Sequence, residues 1–258
     1  MTSTTADTAA MGRLRSLNVI VGLAHLIQGV LILVLSNGFS IPVTAAFQDG
    51  PPGTPLQEPK TLFEMPFAVI IAVFLFFAAA DHLLMSAGGV RAWYESNLRR
   101  GVNYARWIEY SISSSLMVVL IAQLTGIIDF VALLGLFAVN SSMILFGILM
   151  ERFNRHGGDR VDWSPFVFGS IAGIVPWIAV VFTIGGAVQD GSEVPGFVFG
   201  IFVSLFVFFN TFAVNQVLQY RAKGKWADYL YGERVYILLS LAAKTALAWQ
   251  VFGGTLAD

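Results

Sequence analysis

The chain has 258 residues, 56% of them hydrophobic and only 12% charged, with a formal net charge of -1 at pH 7 and a mean hydropathy of +0.72. A soluble domain carries about 25% charged residues, so the composition excludes that class, offers no basis for nucleic-acid binding, and marks a one-domain, multi-pass membrane protein. The lack of cysteine excludes disulfides and thiolate metal sites.

The opening "MTSTTADTAA" is small and polar, and Arg13 and Arg15 then precede an apolar run too long for a signal-peptide core. That run is read as a retained first helix behind a tail at 1–16. A membrane span needs about 20 mostly apolar residues, and seven stretches qualify, at roughly 17–36, 66–87, 104–125, 128–150, 165–188, 196–219 and 230–252. Together they define a domain at 17–252, followed by a short tail at 253–258. The long connection at 37–65 is too rich in proline and glycine for a long helix, whereas "FSIPVTAAF" suits a short strand or hairpin on the membrane surface. Spans three and four are joined only by "TGIID", which predicts a tight helical hairpin. The pairs Gly169/Gly173 and Gly196/Gly200 have the spacing of close helix contacts.

Basic residues alternate between connections. Arg13 and Arg15 precede span one, Arg91, Arg99 and Arg100 follow span two, Arg152, Arg155 and Arg160 follow span four, and Arg221, Lys223 and Lys225 follow span six. The other connections carry Asp49, Glu58, Asp190 and Glu193 against Lys60. The positive-inside rule therefore predicts a cytoplasmic N-terminus, and seven spans then put the C-terminus and the 37–65 loop outside.

Ionisable groups at membrane depth are costly and are functional candidates by default. Lys244 lies about 12 Å into span seven at 1.5 Å per residue, too deep for its stem to reach the interface easily. Its remaining readings are a buried ion pair or a Schiff base with a carbonyl ligand. Glu109 sits one to two turns into span three from the same side. It is either an interfacial carboxylate paired with Arg106 or part of a polar lining that continues to Ser113. His25 in span one, His82 in span two and Ser240, one turn before Lys244, fall at matching depth, so these groups are expected to share one bundle interior. Asp81 is expected to face elsewhere. Two histidines and a glutamate resemble a zinc set, but no HExxH or similar spacing is present, and no metal is expected. No nucleophile elbow or phosphate-binding glycine loop occurs, so no enzymatic activity is expected.

A lone lysine in the seventh helix with a carboxylate on the third resembles a retinal protein. "RWIEYS" (106–111), "LLSLAAKTALAW" (238–249), His25, His82 and the inverted orientation resemble the heliorhodopsins over nearly the whole chain. The resemblance implies an all-α, seven-transmembrane-helix, rhodopsin-like bundle with its N-terminus cytoplasmic and its C-terminus extracellular. It implies that Lys244 holds all-trans retinal as a protonated Schiff base, with Glu109 as the single counterion. Ser240 stands where microbial proton pumps carry a second aspartate. His25 and His82 match a water-containing, proton-accepting cavity on the cytoplasmic side. Ser113 and Met117 in span three, Asn140 and Met143 in span four, Trp177 in span five, and Phe209 and Gln216 in span six match retinal-pocket positions. The resemblance further implies a homodimer in the lipid bilayer, with the 37–65 loop over its interface.

A proton pump of the familiar microbial kind carries a second carboxylate in helix three, where this chain has Leu120. The remainder of that span, "SLMVVLIAQL", has none. The expected function is light sensing without net ion transport, through a cytoplasmic partner that the residues do not identify. The rival classes are a light-driven ion transporter or channel, and a chromophore-free seven-helix transporter that uses Lys244–Glu109 as a coupling ion pair.

Overall fold

The structure is a computed structural model that describes residues 2–257, with side chains from residue 8 onward. Eight α-helices and one antiparallel hairpin follow in the order α1 (Thr2–Leu35), β1 (Ser40–Ala45), β2 (Lys60–Pro66), α2 (Phe67–Met85), α3 (Gly88–Arg99), α4 (Tyr104–Leu124), α5 (Phe130–Phe153), α6 (Ser164–Gln189), α7 (Gly196–Arg221) and α8 (Tyr229–Val251). Seven of the helices, all but α3, are long and apolar enough to cross a membrane. They match the seven stretches read from the sequence to within a few residues. The helix expected to start near residue 17 begins at Thr2, so the segment ahead of the first span is helical too.

Local chemistry sets the helix starts. Asn103, Asp129 and Asp228 cap α4, α5 and α8 by accepting from Arg106 N, Ala132 N and Leu230 N, which satisfies backbone donors that a helix start leaves open. Pro165 occupies the first turn of α6, where a missing N–H costs nothing. The tight α4–α5 connection turns at Gly126, whose φ of 96° lies in the left-handed region open to glycine.

The buried positions of α1 are Met11, Leu14, Asn18, Val21, Gly22, His25, Gly29 and Ile32, which apart from Gly22 fall three or four apart, the seam of a helix that packs mainly along one partner. That partner is α2. Gly22 and Gly29 face Leu83 and Phe76 closely enough that a Cβ would force them to move. Around the bundle α1 packs on α2, α2 on α4, α4 on α5, α5 on α6, α7 on α8 and α8 on α1. The backbones of α6 and α7 stay apart, bridged by Trp177, whose ring meets Phe202, Phe206 and Phe209 edge-on or tilted at 5.3–6.0 Å. Gly169 and Gly173 do make the close contact expected of them, against Phe146 and Met143 of α5. Gly196 and Gly200 do not, because nothing lies within 4 Å of a Cβ placed there.

Two features differ from the sequence reading of the connections. The stretch after α2 contains a helix, α3, that buries Tyr94, Asn97 and Leu98 while exposing Trp93 and Val90. Burial and neighbouring carboxylates push the Tyr94 phenol above its ordinary pKa. The 37–65 segment forms the expected hairpin, with Ser40 opposite Pro66, Ala45 opposite Lys60 and a bulge at Val43/Thr44. It is fastened to the bundle. Thr44 N donates to Ile128 O at 2.9 Å, and Val43 is buried against Val118, Val119, Ala122, Leu133 and Leu136 of α4 and α5. This end of the bundle is called the hairpin end below, and the end with α3 and the arginines the basic end.

Gly147 of α5 gives the Trp107 ring of α4 its seat, and an added Cβ would lie only 2.3–2.5 Å from three of the ring's atoms. Gly147→Ala is expected to lower the thermal midpoint, since overpacking costs about 1–3 kcal/mol. Gly200→Ala, with open space around it, is expected to hold or raise the midpoint through the helix preference of alanine, about 0.5–1 kcal/mol. Equal midpoints for the two variants in thermal unfolding would contradict this packing.

Candidate functional site

Lys244 and Ser240 lie one turn apart on the face of α8 that also buries Glu233, Tyr236, Leu247 and Val251. Lys244 Nζ donates to Ser240 Oγ at 2.8 Å and to Glu109 Oε2 of α4 at 3.2 Å, with Glu109 Oε1 also at 3.2 Å. The ammonium is 4.9 Å from the Tyr110 ring centre. Lys244 and Glu109 are each 3% exposed and Ser240 1%, so the pair is a salt bridge sealed from solvent. Removing water raises the cost of each charge alone by several kcal/mol, on the order that makes an unpaired one untenable. The pairing with Arg106 considered for Glu109 is not made.

His25 and His82 stack at 5.9 Å with their rings 12° apart, on the side of the pair toward the basic end. Both are buried. Asn18 Nδ2 donates to Leu14 O, which leaves its Oδ1 facing His82 Nδ1 at 2.7 Å. The oxygen can only accept, so Nδ1 carries the hydrogen and Nε2 is the free basic atom, a tautomer assigned from the network. Both nitrogens of His25 and Ser113 Oγ are buried with no hydrogen-bond partner among the described residues. A polar site with several unsatisfied groups is where buried water is held. Asp81, beside His82, is half-buried.

A cavity of about 300 Å³ runs from Lys244 between α4, α5, α6 and α7, at the small end of the range for ligand pockets. Of the residues expected to line it, Ser113, Met117, Met143, Trp177, Phe209, Gln216 and Ser240 do so. Asn140 stands behind the wall, donating to Ser114 Oγ and Ser115 Oγ at 2.9 and 3.0 Å. The sequence reading did not include Tyr110, Tyr236, Trp107, Phe206 or Phe212, all of which line the cavity. Tyr236 was accessible to it, since it precedes Ser240 by one turn and so shares the lysine's face. The far end reaches the surface of the bundle, where Ser170 and Ile174 of α6 face Phe206 and Asn210 of α7 across the gap between those helices.

The sequence reading also missed a second buried charge cluster. Arg106 of α4 is paired with both Glu151 of α5 and Glu233 of α8, and its guanidinium lies 3.9 Å from the Tyr236 ring centre and 4.5 Å from that of Trp107. Asn103 N donates to Glu151 Oε2 at 2.8 Å, Asn103 Nδ2 to Glu233 Oε2 at 2.7 Å, and Tyr229 OH to Glu151 Oε1 at 3.1 Å. Glu151 and Glu233 sit near span ends in the sequence, where a carboxylate ordinarily meets water. The fold closes them in at 3% and 0% exposure.

Comparison with known proteins adds a family and a fold. The family model described as Heliorhodopsin matches residues 14–256. No curated protein matches the sequence. Among solved structures, the bundle is similar to a light-driven proton pump, LR (Mac), from Leptosphaeria maculans, at a TM-score of 0.65 and 17% identity over 93% of this chain and 95% of that one. At that identity the likeness is one of fold.

Removing Arg106 would leave two buried carboxylates without their cation. Arg106→Gln is expected to destabilise the protein by about 3–5 kcal/mol, whereas replacing all three charges with Arg106→Met, Glu151→Met and Glu233→Met is expected to recover most of the loss. Thermal unfolding in detergent measures both. A single variant as stable as the parent would show that the cluster carries no such constraint.

Proposed function

Because the chain belongs to the heliorhodopsin family, we propose that it is a light-sensing retinal protein that retains its mobile proton and drives no net ion transport. The observation that carries this reading is the placement of Lys244 Nζ at the inner end of an aromatic-walled cavity, beside one carboxylate. A chromophore-free transporter needs the ion pair but has no use for an apolar chamber reaching the lysine. The residues present fit an elongated polyene with a cationic end: aromatic and methionine side chains along its length, and Lys244, Glu109 and Ser240 at its head. Lys244 would hold all-trans retinal as a Schiff base. When bound there, the chromophore supplies absorption of visible light and a light-driven change in the direction of the N–H at Nζ.

The residues of the chain do the rest. Glu109 accepts from the protonated nitrogen in the dark, and Ser240 accepts from the same atom on the next turn. Ser240 leaves Glu109 as the one anion beside it, so charge balance at the head is one against one. Once the N–H leaves Glu109, the basic atoms on the way to the basic end are those of His25 and His82. The stacked rings, with the free Nε2 of His82, give the proton a place inside the protein.

Toward the hairpin end the interior is apolar. Leu120, Ile121, Leu247, Ala248 and Val251 close against Phe67, Ile71 and Phe74. With no carboxylate among the described residues of that core to take or give a proton, a connection on one side only is the reading that follows, and it supports sensing over pumping. The alternation of basic connections supports a cytoplasmic basic end, so that the histidine side faces the cytoplasm. A homodimer and a cytoplasmic signalling partner complete the reading. The gap between α6 and α7 gives a lipophilic chromophore a sideways route from the bilayer to Lys244.

Purified protein with added all-trans retinal is expected to develop a visible absorption band that hydroxylamine bleaches and that Lys244→Ala lacks. Colourless protein would sink the retinal assignment. Light-driven pH changes in vesicles are expected to be absent, and a sustained unidirectional change would overturn the sensor reading.

At the side opening, Ile174→Trp is expected to slow the growth of the visible band severalfold after retinal is added to the colourless protein. An unchanged rate would mean entry by another route.

A further inference from the structure

At the basic end the chain passes from α3 to α4 through Arg100–Asn103 and leaves α5 through Arg152–Arg155. These segments enclose an open concavity of about 320 Å³, lined by Arg100, Arg152, Arg155 and Tyr104 and also by Glu151. All three arginines are exposed. Other arginines of this end are already engaged, Arg91 and Arg99 by Glu95 and Arg234 by Asp228. Arg152 and Arg155 have no ion-pair partner among the described residues, and Arg100 donates only to the neutral Asn97 side chain. Glu151, the carboxylate that shares this lining, is committed to Arg106, Asn103 N and Tyr229 OH. Topology accounts for basic residues in these loops, but not for three of them converging on one hollow.

The surface that continues from the hollow is apolar. α4 is the most buried of the spans, yet Tyr104, Ile108 and Ile112 form an outward stripe at four-residue spacing, with Ile108 51% and Ile112 38% exposed. The stripe begins at Tyr104, which also lines the hollow. Phe153, between Arg152 and Arg155 in sequence, is 62% exposed. A cationic cup above an apolar stripe is the complement of an amphiphile with an anionic head.

We propose that this cup binds the phosphate of an anionic phospholipid, with an acyl chain lying along the Tyr104, Ile108 and Ile112 stripe of α4. Guanidinium groups match phosphate oxygens two at a time, and basic pockets at the ends of spans are suited to anionic headgroups. The N-terminus of α4 opens beside the cup, and its dipole favours an anion there too. A zwitterionic lipid brings its own ammonium to the arginines and is a poorer ligand.

Native mass spectrometry of the retinal-loaded protein in detergent, with added phosphatidylglycerol or phosphatidylcholine of matched chains, tests the assignment. Phosphatidylglycerol adducts are expected to dominate. They are expected to fall at least about tenfold in Arg100→Gln/Arg152→Gln/Arg155→Gln, at roughly fivefold per arginine near a charged surface. Arg221→Gln/Lys223→Gln/Lys225→Gln removes the same charge from another loop of this end and is expected to leave the adducts unchanged. Equal losses in the two triple variants, or equal binding of the two lipids by the parent, would overturn the site. Inorganic phosphate that binds without lipid and displaces phosphatidylglycerol at matched concentration would reassign the cup to a soluble anion. Conversion from dimer to monomer in the first variant with lipid binding unchanged would give the stripe to a second copy of the chain instead. The parent comparison of the two lipids decides the matter even if a variant fails to fold.

Discussion

A salt bridge between Lys244 and Glu109 in the middle of the bundle is the constraint around which the other helices are arranged. Neither charge is tolerable alone at that depth, so α4 and α8 must meet at one register, with Ser240 on the same side to accept from the ammonium. That requirement explains why α4, which carries four serines, an arginine and a glutamate, is nonetheless the most buried span. Its hydroxyls are turned inward or bonded to its own carbonyls, as at Ser111, Ser114 and Ser115. Its lipid-facing surface is reduced to a narrow stripe.

The pair also divides the interior into two unlike halves. Toward the basic end lie stacked histidines, buried amides, tyrosines and the Arg106 cluster. Toward the hairpin end lies a continuous apolar core. An internal charge relaxes toward the half that solvates it better: the polar half offers donors, acceptors and room for water, while the other half holds only scattered amides and hydroxyls such as Gln28, Gln123 and Gln250. The direction in which a proton is able to leave Lys244 is therefore set by side chains distributed over α1, α2, α4 and α8, not by the lysine or its partner alone.

How much of this could be read from the sequence follows the same physics. The spans were legible because hydropathy over about 20 residues is a strong, local signal. Lys244, Glu109, Ser240, His25 and His82 were legible because polar groups in such spans are few and their depth can be counted along a helix. The α3 helix was not, since its twelve residues are amphipathic and interrupted by glycine, arginine and serine. The Arg106 cluster was not, because Glu151 and Glu233 lie at span ends, where a carboxylate is ordinarily solvated, and only the packing of α4, α5 and α8 encloses them. Asn140 shows the limit of depth counting. It lies at the level of the cavity, but its rotation about α5 points its amide at Ser114 and Ser115 and leaves the lining to Met143 and Gly147.

The two charge clusters are joined by one helix face. Glu233 and Lys244 are about three turns apart on α8, and Tyr236 lies between them, its ring over Arg106 and its carbonyl accepting from Tyr110 OH at 2.9 Å. Tyr110 in turn lies beside the Lys244 ammonium. Lysine and glutamate are thus fixed to the same rigid element, and the two aromatic side chains between them are packed, not mobile. α8 therefore carries both charge clusters on one buried face, and the contacts of Tyr236 and Tyr110 tie the Arg106 cluster to the surroundings of Lys244 through packed side chains.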